Sequence, residues 1–230
     1  MTGGSRGIGR AIVRRLARDG AHVVFSYKDG KDAADALVQE VAGAVAVRAD
    51  QEDTGSIDAL FEPVAGGLDI LVNNAAVNPP TLLRDVTGEL FDRVMTVNAK
   101  FPLLAMSRAE PLLRDGGRIV NISTLNTALP VPGLALYAAS KGALEQATAV
   151  AAREFGARGI TVNTVSPGAT DTGLLHETNP PEALEQTKAL TALGRLGTPG
   201  DIADVVAFLA GPDARWITGQ NIRATGGCVL

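Results

Sequence analysis

The chain has 230 residues, of which 46% are hydrophobic and 20% charged, and its 21 basic against 25 acidic side chains leave a net charge of -4. That length and balance suit one soluble globular domain over residues 1–230. They exclude a membrane span and a dedicated nucleic-acid binder, which needs a basic footprint to displace counterions. A single cysteine, Cys228, and two histidines, His22 and His176, supply neither an intrachain disulfide nor a metal site, so no metal and a reducing, cytoplasmic compartment are expected.

The chain opens on a glycine-rich turn, Thr2 to Gly9, which reads T-G-G-S-R-G-I-G and runs into a helix expected over Arg10 to Asp19. Strands are then expected at His22 to Tyr27, Val45 to Ala49, Leu68 to Val72, Arg118 to Ile122, Ile160 to Val165 and Asn221 to Arg223. Between them the periodicity predicts helices over Lys31 to Ala42, Ser56 to Ala65, Gly88 to Arg114, Tyr137 to Gly156, Pro181 to Leu190 and Pro199 to Ala210. Gly20, Gly43, Gly66, Gly156 and Gly211 fall where helices should stop and are expected as left-handed caps. Short, nearly continuous Val, Ile and Leu runs alternating with helices are the pattern of parallel strands buried on both faces. The fold class is α/β, a doubly wound parallel sheet of Rossmann type.

In the opening turn, Gly3, Gly7 and Gly9 let the backbone approach a pyrophosphate, and the helix that follows offers free N–H groups and a positive dipole end. The spacing is G-x-x-x-G-x-G, and the plainer reading is a tight connection into a helix. An NAD site places a carboxylate at the end of the next strand to hold the ribose. Here Ser26, Tyr27 and Lys28 stand there instead, and with Arg6 in the turn the local charge suits a 2'-phosphate, favouring NADP. The alternative is that Lys28 is a solvated loop lysine and that Arg6 packs over the turn.

Tyr137-Ala138-Ala139-Ser140-Lys141 sets a phenol and an ammonium on one helical face, since i and i+4 are neighbours. A cation beside a tyrosine favours the phenolate and moves its pKa towards the range of proton transfer. On its own such a pair occurs on many exposed helices. Around it stand Asn73-Asn74-Ala75-Ala76 after a strand, Asn98 within a long helix, and Asn121-Ile122-Ser123-Thr124 at a strand end. Later come Ser166-Pro167-Gly168 with Asp171-Thr172, and Gly194-Arg195-Leu196-Gly197 before Pro199. Taken in this order, over nearly the whole length, the chain resembles the short-chain dehydrogenase/reductase family, and most of all its bacterial 3-oxoacyl-carrier-protein reductase-like members.

The resemblance implies a role for each matched residue. Gly3, Ser5, Arg6, Ile8 and Gly9 would hold the cofactor phosphates, Asp50 the adenine amino group, and Asn74 with its neighbours would pass along the adenosine ribose. Tyr137 would be the general acid or base, Lys141 would bind the nicotinamide ribose and lower the tyrosine pKa, and Asn98 would hold a water in a proton relay. Pro167, Gly168 and Thr172 would fix the nicotinamide carboxamide. The family's catalytic serine stands thirteen residues before the tyrosine, where this chain has Thr124. Because strand side chains alternate faces, Ser123 and Thr124 cannot both face the substrate; Thr124 is expected to take the role, with Ser123 as the fallback. Ala76 and Thr170 depart from the family's usual glycine and aliphatic residue, with only local packing expected to change.

The expected activity is therefore an NADP(H)-dependent hydride transfer between nicotinamide and a carbonyl or secondary alcohol, with a 3-oxoacyl thioester as the first substrate and a small ketone, sugar or steroid-like alcohol as the second. A nucleotide-binding protein with little turnover is the reading from another class. His176 lies in a stretch, Gly173 to Leu193, that resembles the family's substrate loop, and the resemblance also implies a homo-oligomer, tetramer or dimer, built on the alanine-rich helix after Tyr137 and the long helix before it. One feature conflicts with the family pattern: an apolar strand normally precedes the glycine turn, and here only Met1 does. The expectation is a first strand missing from the sheet, and hence either a truncated start or poor stability from unpaired neighbours.

Overall fold

The computed structural model describes residues 1–228. Its strands are β1 (Val24–Tyr27), β2 (Val45–Arg48), β3 (Leu68–Asn73), β4 (Leu113–Ile122), β5 (Thr161–Pro167) and β6 (Asn221–Ala224). All pairings are parallel, in two sets ordered β1-β2 and β3-β4-β5-β6. Met1–Gly4 lies in the seam between the sets. Met1 O accepts from Ser26 N at 2.9 Å, Gly4 N donates to Ser26 O at 2.9 Å, and Thr2 N donates to Val72 O at 3.0 Å. No strand precedes the first helix among the described residues, yet at this level of the sheet both neighbours have a partner, so the expected row of unpaired groups is filled there.

The helices are α1 (Gly7–Arg18), α2 (Lys31–Glu40), α3 (Ile57–Phe61), α4 (Gly88–Met95), α5 (Phe101–Ala109), α6 (Ala135–Phe155), α7 (Gly173–Thr178), α8 (Pro181–Leu190) and α9 (Pro199–Ala210). They cover both faces of the sheet. On one face, Ile12, Val13 and Leu16 of α1 pack with Ile202, Val206 and Leu209 of α9 against Phe25, Val72, Val120 and Val165. On the other, Phe101, Ala105 and Met106 of α5 and Ala151 and Ala152 of α6 pack on Leu71, Ile119 and Val162. Each fully buried large aliphatic side chain contributes about 1.5–3 kcal/mol, which is why β5 is buried along its whole length and contains Val, Thr and Asn but no charge.

The helix expected to run to Arg114 stops at Ala109: Glu110 still has helical backbone, but Pro111 has no N–H with which to continue the ladder, and Leu113 already belongs to β4. A π-helical turn, Thr96–Lys100, interrupts the same stretch. Of the expected caps, Gly20 and Gly43 have positive φ, whereas Gly66, Gly156 and Gly211 do not; Gly67 and Gly159 take the left-handed positions. The residue-by-residue alternation of β4 is anchored below the site by a buried polar row. Asn73 Nδ2 donates to Asn121 Oδ1 at 2.8 Å, Asn121 Nδ2 to Thr148 Oγ1 at 2.8 Å, and Thr164 Oγ1 lies 3.0 Å from Thr148 Oγ1.

Replacing Asn121 with valine leaves the Asn73 amide without its acceptor, at a cost of about 1–3 kcal/mol. Thermal unfolding is expected to drop by about 2–4 °C per kcal/mol lost; an unchanged melting temperature would show that the row carries no stability.

Candidate active site

In parallel α/β sheets the loops beyond the carboxyl ends of the strands form the ligand crevice. The glycine turn opens one side of it. Gly3 and Gly7 have φ of +66° and +54°, and a Cβ on Gly9 would stand 1.9 Å from Gly3 O, so only glycine fits that crossing. Arg6, the residue before α1, gives the helix no side-chain cap, and N–H groups at such a helix start suit an anion. A Cβ on Gly7 would meet the Thr172 methyl at 3.5 Å, so the segment after β5 faces the turn across the crevice. These features fit a dinucleotide: glycine backbone and an uncapped helix start for the phosphates, with Thr172 opposite.

The turn is held from below. Asn74 Nδ2 donates to Thr2 O at 3.1 Å and Gly3 O at 3.0 Å, while Thr2 Oγ1 accepts from the backbone N–H groups of Asn74 and Ala75. The Asn74 amide is thus a brace for the turn. Ser5 is buried, Ile8 packs against the core beneath α1, and Ser26 Oγ accepts from Gly3 N at 3.2 Å.

At the adenosine end, Lys28 lies 3.1 Å from Asp50 and 2.8 Å from Glu52, and Arg93 reaches Glu52 at 3.1 Å. Hydrogen bonds from Lys28 hold the Glu52 carboxyl below its usual range, and those carboxylates raise Lys28. The Lys28 charge expected for a 2'-phosphate is therefore already matched within the chain. Asp50, expected at the adenine, accepts the Glu52 N–H on Oδ1. Arg6 is exposed and makes no ion pair among the described residues. Arg48, which the sequence reading passed over, is exposed at the end of β2 opposite Tyr27, also without an ion pair. Its signal was a basic residue two positions before Asp50.

At the reacting end, Thr124 leaves β4 in extended backbone and its hydroxyl is within hydrogen-bonding reach of the Tyr137 phenol. Ser123 points the other way, donating to Glu145 at 2.5 Å, and is buried. Burial pushes the half-buried Tyr137 phenol up to about 12, opposed by the Thr124 hydrogen bond. This reverses the expected lowering. The Lys141 ammonium is directed to Ile122 O at 2.8 Å, and burial brings Lys141 down to about 8. In the free chain desolvation outweighs the Thr124 hydrogen bond, and the phenol is held neutral.

Asn98 is fully buried in the π-helical turn, and its side chain is committed. Oδ1 accepts from Val77 N at 2.9 Å, and Nδ2 donates to Val77 O at 2.8 Å and Ser140 Oγ at 3.0 Å. With both amide hydrogens used, this side chain fixes the loop after β3 to α6, and the expected water is not its donor partner. Ser140 completes the link by donating to Tyr137 O at 2.7 Å. On β5, Pro167 is buried, and Gly168 approaches Thr225 so closely that a Cβ would stand 2.9 Å from its Cα. Thr172 caps α7, a helix the sequence reading left as loop, and His176 within it lies 2.6 Å from Asp171.

A glycine turn before a helix start without a side-chain cap, together with a phenol, a hydroxyl and a buried ammonium beyond β4 and on α6, fits an oxidoreductase of the dinucleotide-binding class. Comparison with known proteins narrows the class. The family model described as Enoyl-(Acyl carrier protein) reductase matches residues 3–229. An uncharacterised oxidoreductase of Methylorubrum extorquens is 43% identical, over 99% of this chain and 95% of its own. The 3-oxoacyl-[acyl-carrier-protein] reductase of Staphylococcus aureus is 37% identical over 100% and 97%. Among solved structures, the angucycline C-6 ketoreductase LanV with bound NADP superposes with a TM-score of 0.93 at 44% identity, covering 99% of this chain and 93% of that one. The chain belongs to the short-chain dehydrogenase/reductase family.

Two outcomes test the site. Thr124→Val is expected to cut carbonyl reduction by about 10²–10³-fold, as loss of one donor to a developing oxyanion does, and Ser123→Ala by less than tenfold; the opposite order would assign the role to Ser123. Arg6→Ala is expected to weaken NADPH binding by about tenfold or more while leaving NADH affinity within about twofold, read by fluorescence titration; equal losses for both would remove Arg6 from the 2'-phosphate.

Proposed function

We propose that this protein is an NADPH-dependent ketoreductase. The observation that carries the reading is the neutral Tyr137 phenol beside the Thr124 hydroxyl, with the Lys141 ammonium one helical turn along. When bound, the reduced nicotinamide supplies a hydride to the carbonyl carbon. Thr124 hydrogen-bonds the carbonyl oxygen and polarises it. Tyr137, protonated at neutral pH, donates its proton to that oxygen as charge develops there. Lys141 supplies positive charge next to the phenolate left behind. Asn98 and Ser140 position this group, and Pro167, Gly168 and Thr172 line the side where the nicotinamide would lie. The unpaired Arg6 supports NADPH over NADH, in line with the NADP held by LanV.

For the substrate we favour a neutral, largely apolar ketone. Leu82 and Leu83 after β3, Leu129 and Val131 after β4, and Leu174 on α7 after β5 are all exposed on the segments that follow the carboxyl ends of these strands. The first two loops are tied by Thr81 N donating to Gly133 O at 2.8 Å. Cations on nearby segments are paired: Arg84 with Asp85, Lys188 with Glu185, and Arg195 with Asp201. An apolar rim of this kind suits a polycyclic or steroid-like ketone better than a sugar. A 3-oxoacyl thioester is the second reading, favoured by the Staphylococcus aureus relative.

We also propose a homo-oligomer in the cytoplasm, supported by exposed Leu103, Leu104 and Val150 on α5 and α6. No helix among the described residues is long and apolar enough to cross a membrane.

NADPH oxidation with a bicyclic ketone, a sugar ketone and an acetoacetyl thioester, each beside Tyr137→Phe, tests the reading. The bicyclic ketone is expected to turn over fastest, and the variant to lose about 10²–10⁴-fold. Fastest turnover of the thioester would move the substrate to the second reading. Equal background rates for both proteins would end the enzyme reading. As pH rises through about 8, Lys141 loses its proton and reduction is expected to slow.

A further inference from the structure

Glu145 on α6 lies one turn beyond Lys141 and two beyond Tyr137, so the three follow one another along the same helix. Its Oε1 accepts from Ser123 Oγ at 2.5 Å and from Thr127 Oγ1 at 2.8 Å. Those two hydroxyls flank Thr124 in sequence, one position before and three after. Ser166 Oγ stands 3.4 Å from the same oxygen, with its own hydrogen directed to Asn221 Oδ1 at 2.7 Å. One carboxylate oxygen therefore meets the segment that carries the substrate-facing hydroxyl and borders the end of β5, just before Pro167 and Gly168. Lys141 is the charged group facing Glu145, while β4, the following turn, β5 and β6 contribute the neutral groups Ser123, Thr127, Ser166 and Asn221. Among the described residues, Glu145 is the one charged group that acts on Lys141, favouring its ammonium against burial.

We infer that Glu145 is a positioning residue: through Ser123 and Thr127 it clamps the Thr124 segment to the helix that carries Tyr137 and Lys141, and its charge keeps the Lys141 ammonium in place. The inference rests on the ketoreductase reading for its kinetic consequence and on the free chain for its electrostatic one. Clamping to α6 refers the oxygen-polarising hydroxyl and the proton donor to one rigid element. A shift of well under 1 Å at such a contact suffices to change turnover, because productive geometry is narrow. Glu145 does not touch the reacting atoms, and it is not among the residues singled out from the sequence. Its signal was the spacing of four from Lys141.

Two variants separate the clamp from the charge. The double variant Ser123→Ala with Thr127→Val keeps the carboxylate and removes its hydroxyl donors; kcat for reduction is expected to fall about tenfold with KM for NADPH unchanged. Glu145→Gln removes the charge; in the free protein, NMR titration of ¹³C-labelled lysine, with Lys141 assigned by its loss in Lys141→Arg, is expected to show its midpoint about one pH unit lower. The chain has five lysines, so the signals are few. Full kcat in the double variant would overturn the clamp, and an unmoved Lys141 midpoint in Glu145→Gln would overturn the electrostatic role, whatever happens to melting temperature. The titration needs no turnover. If wild type and Tyr137→Phe are equally inactive, the ketoreductase reading fails while the lysine midpoint still decides the role of Glu145.

Discussion

An ammonium taken out of water is among the costliest groups a protein can bury, and Lys141 is 2% exposed. Two features of the structure make that tolerable. The Ile122 carbonyl at the end of β4 accepts from Nζ, and the Glu145 carboxylate stands one turn along α6; against them burial still brings the group down to about 8. Each ties Lys141 to a different part of the site. The end of β4 cannot move without losing the acceptor, and α6 cannot rotate without carrying Tyr137 away from Thr124. The same dry surroundings that strain the ammonium keep the phenol neutral, so one constraint sets both halves of the proton-donating pair.

The two ends of the crevice are built on different principles. At the reacting end Asn98, Ser140 and Ser123 are buried, Glu145 is half-buried, and all are engaged in hydrogen bonds that give the site its rigidity. At the adenosine end the charges are exposed and paired with one another, as in the cluster of Lys28, Asp50, Glu52 and Arg93. Exposed pairs are worth little and exchange partners easily. That contrast leaves Arg6 and Arg48 as the unspent cations near the turn, and it assigns precision to one end and adaptability to the other.

Much of this was legible before any coordinates, because hydrophobic periodicity and motif order depend on local sequence. The six strands and the long helix after Tyr137 follow from spacing, and the Thr124 position from the family resemblance. What was not legible depends on three-dimensional neighbours. The sequence put Tyr137 next to a cation but could not weigh that cation against desolvation, and the sign of the phenol's shift came out reversed. Lys28 reads as a free base until the fold brings Asp50 and Glu52 beside it. The helix drawn through to Arg114 shows the limit of periodicity, since Pro111 overrides an apolar pattern that continues past it. Helix α7 was missed because Gly173–Thr178 is short and starts on glycine, so its helical character rests on the Thr172 cap.

The buried row of Asn73, Asn121, Thr148 and Thr164 reaches further than its own hydrogen bonds. Asn121 and Ser123 are two residues apart on one strand and so point to the same side, towards α6, where Thr148 and Glu145 receive them. Thr124 is of opposite parity. Were β4 to slip by one residue against its neighbours, the amide would face apolar packing and the two hydroxyls would exchange places. The row thus works as a register key: an asparagine decides, from the middle of the sheet, that Thr124 and not Ser123 stands beside the Tyr137 phenol.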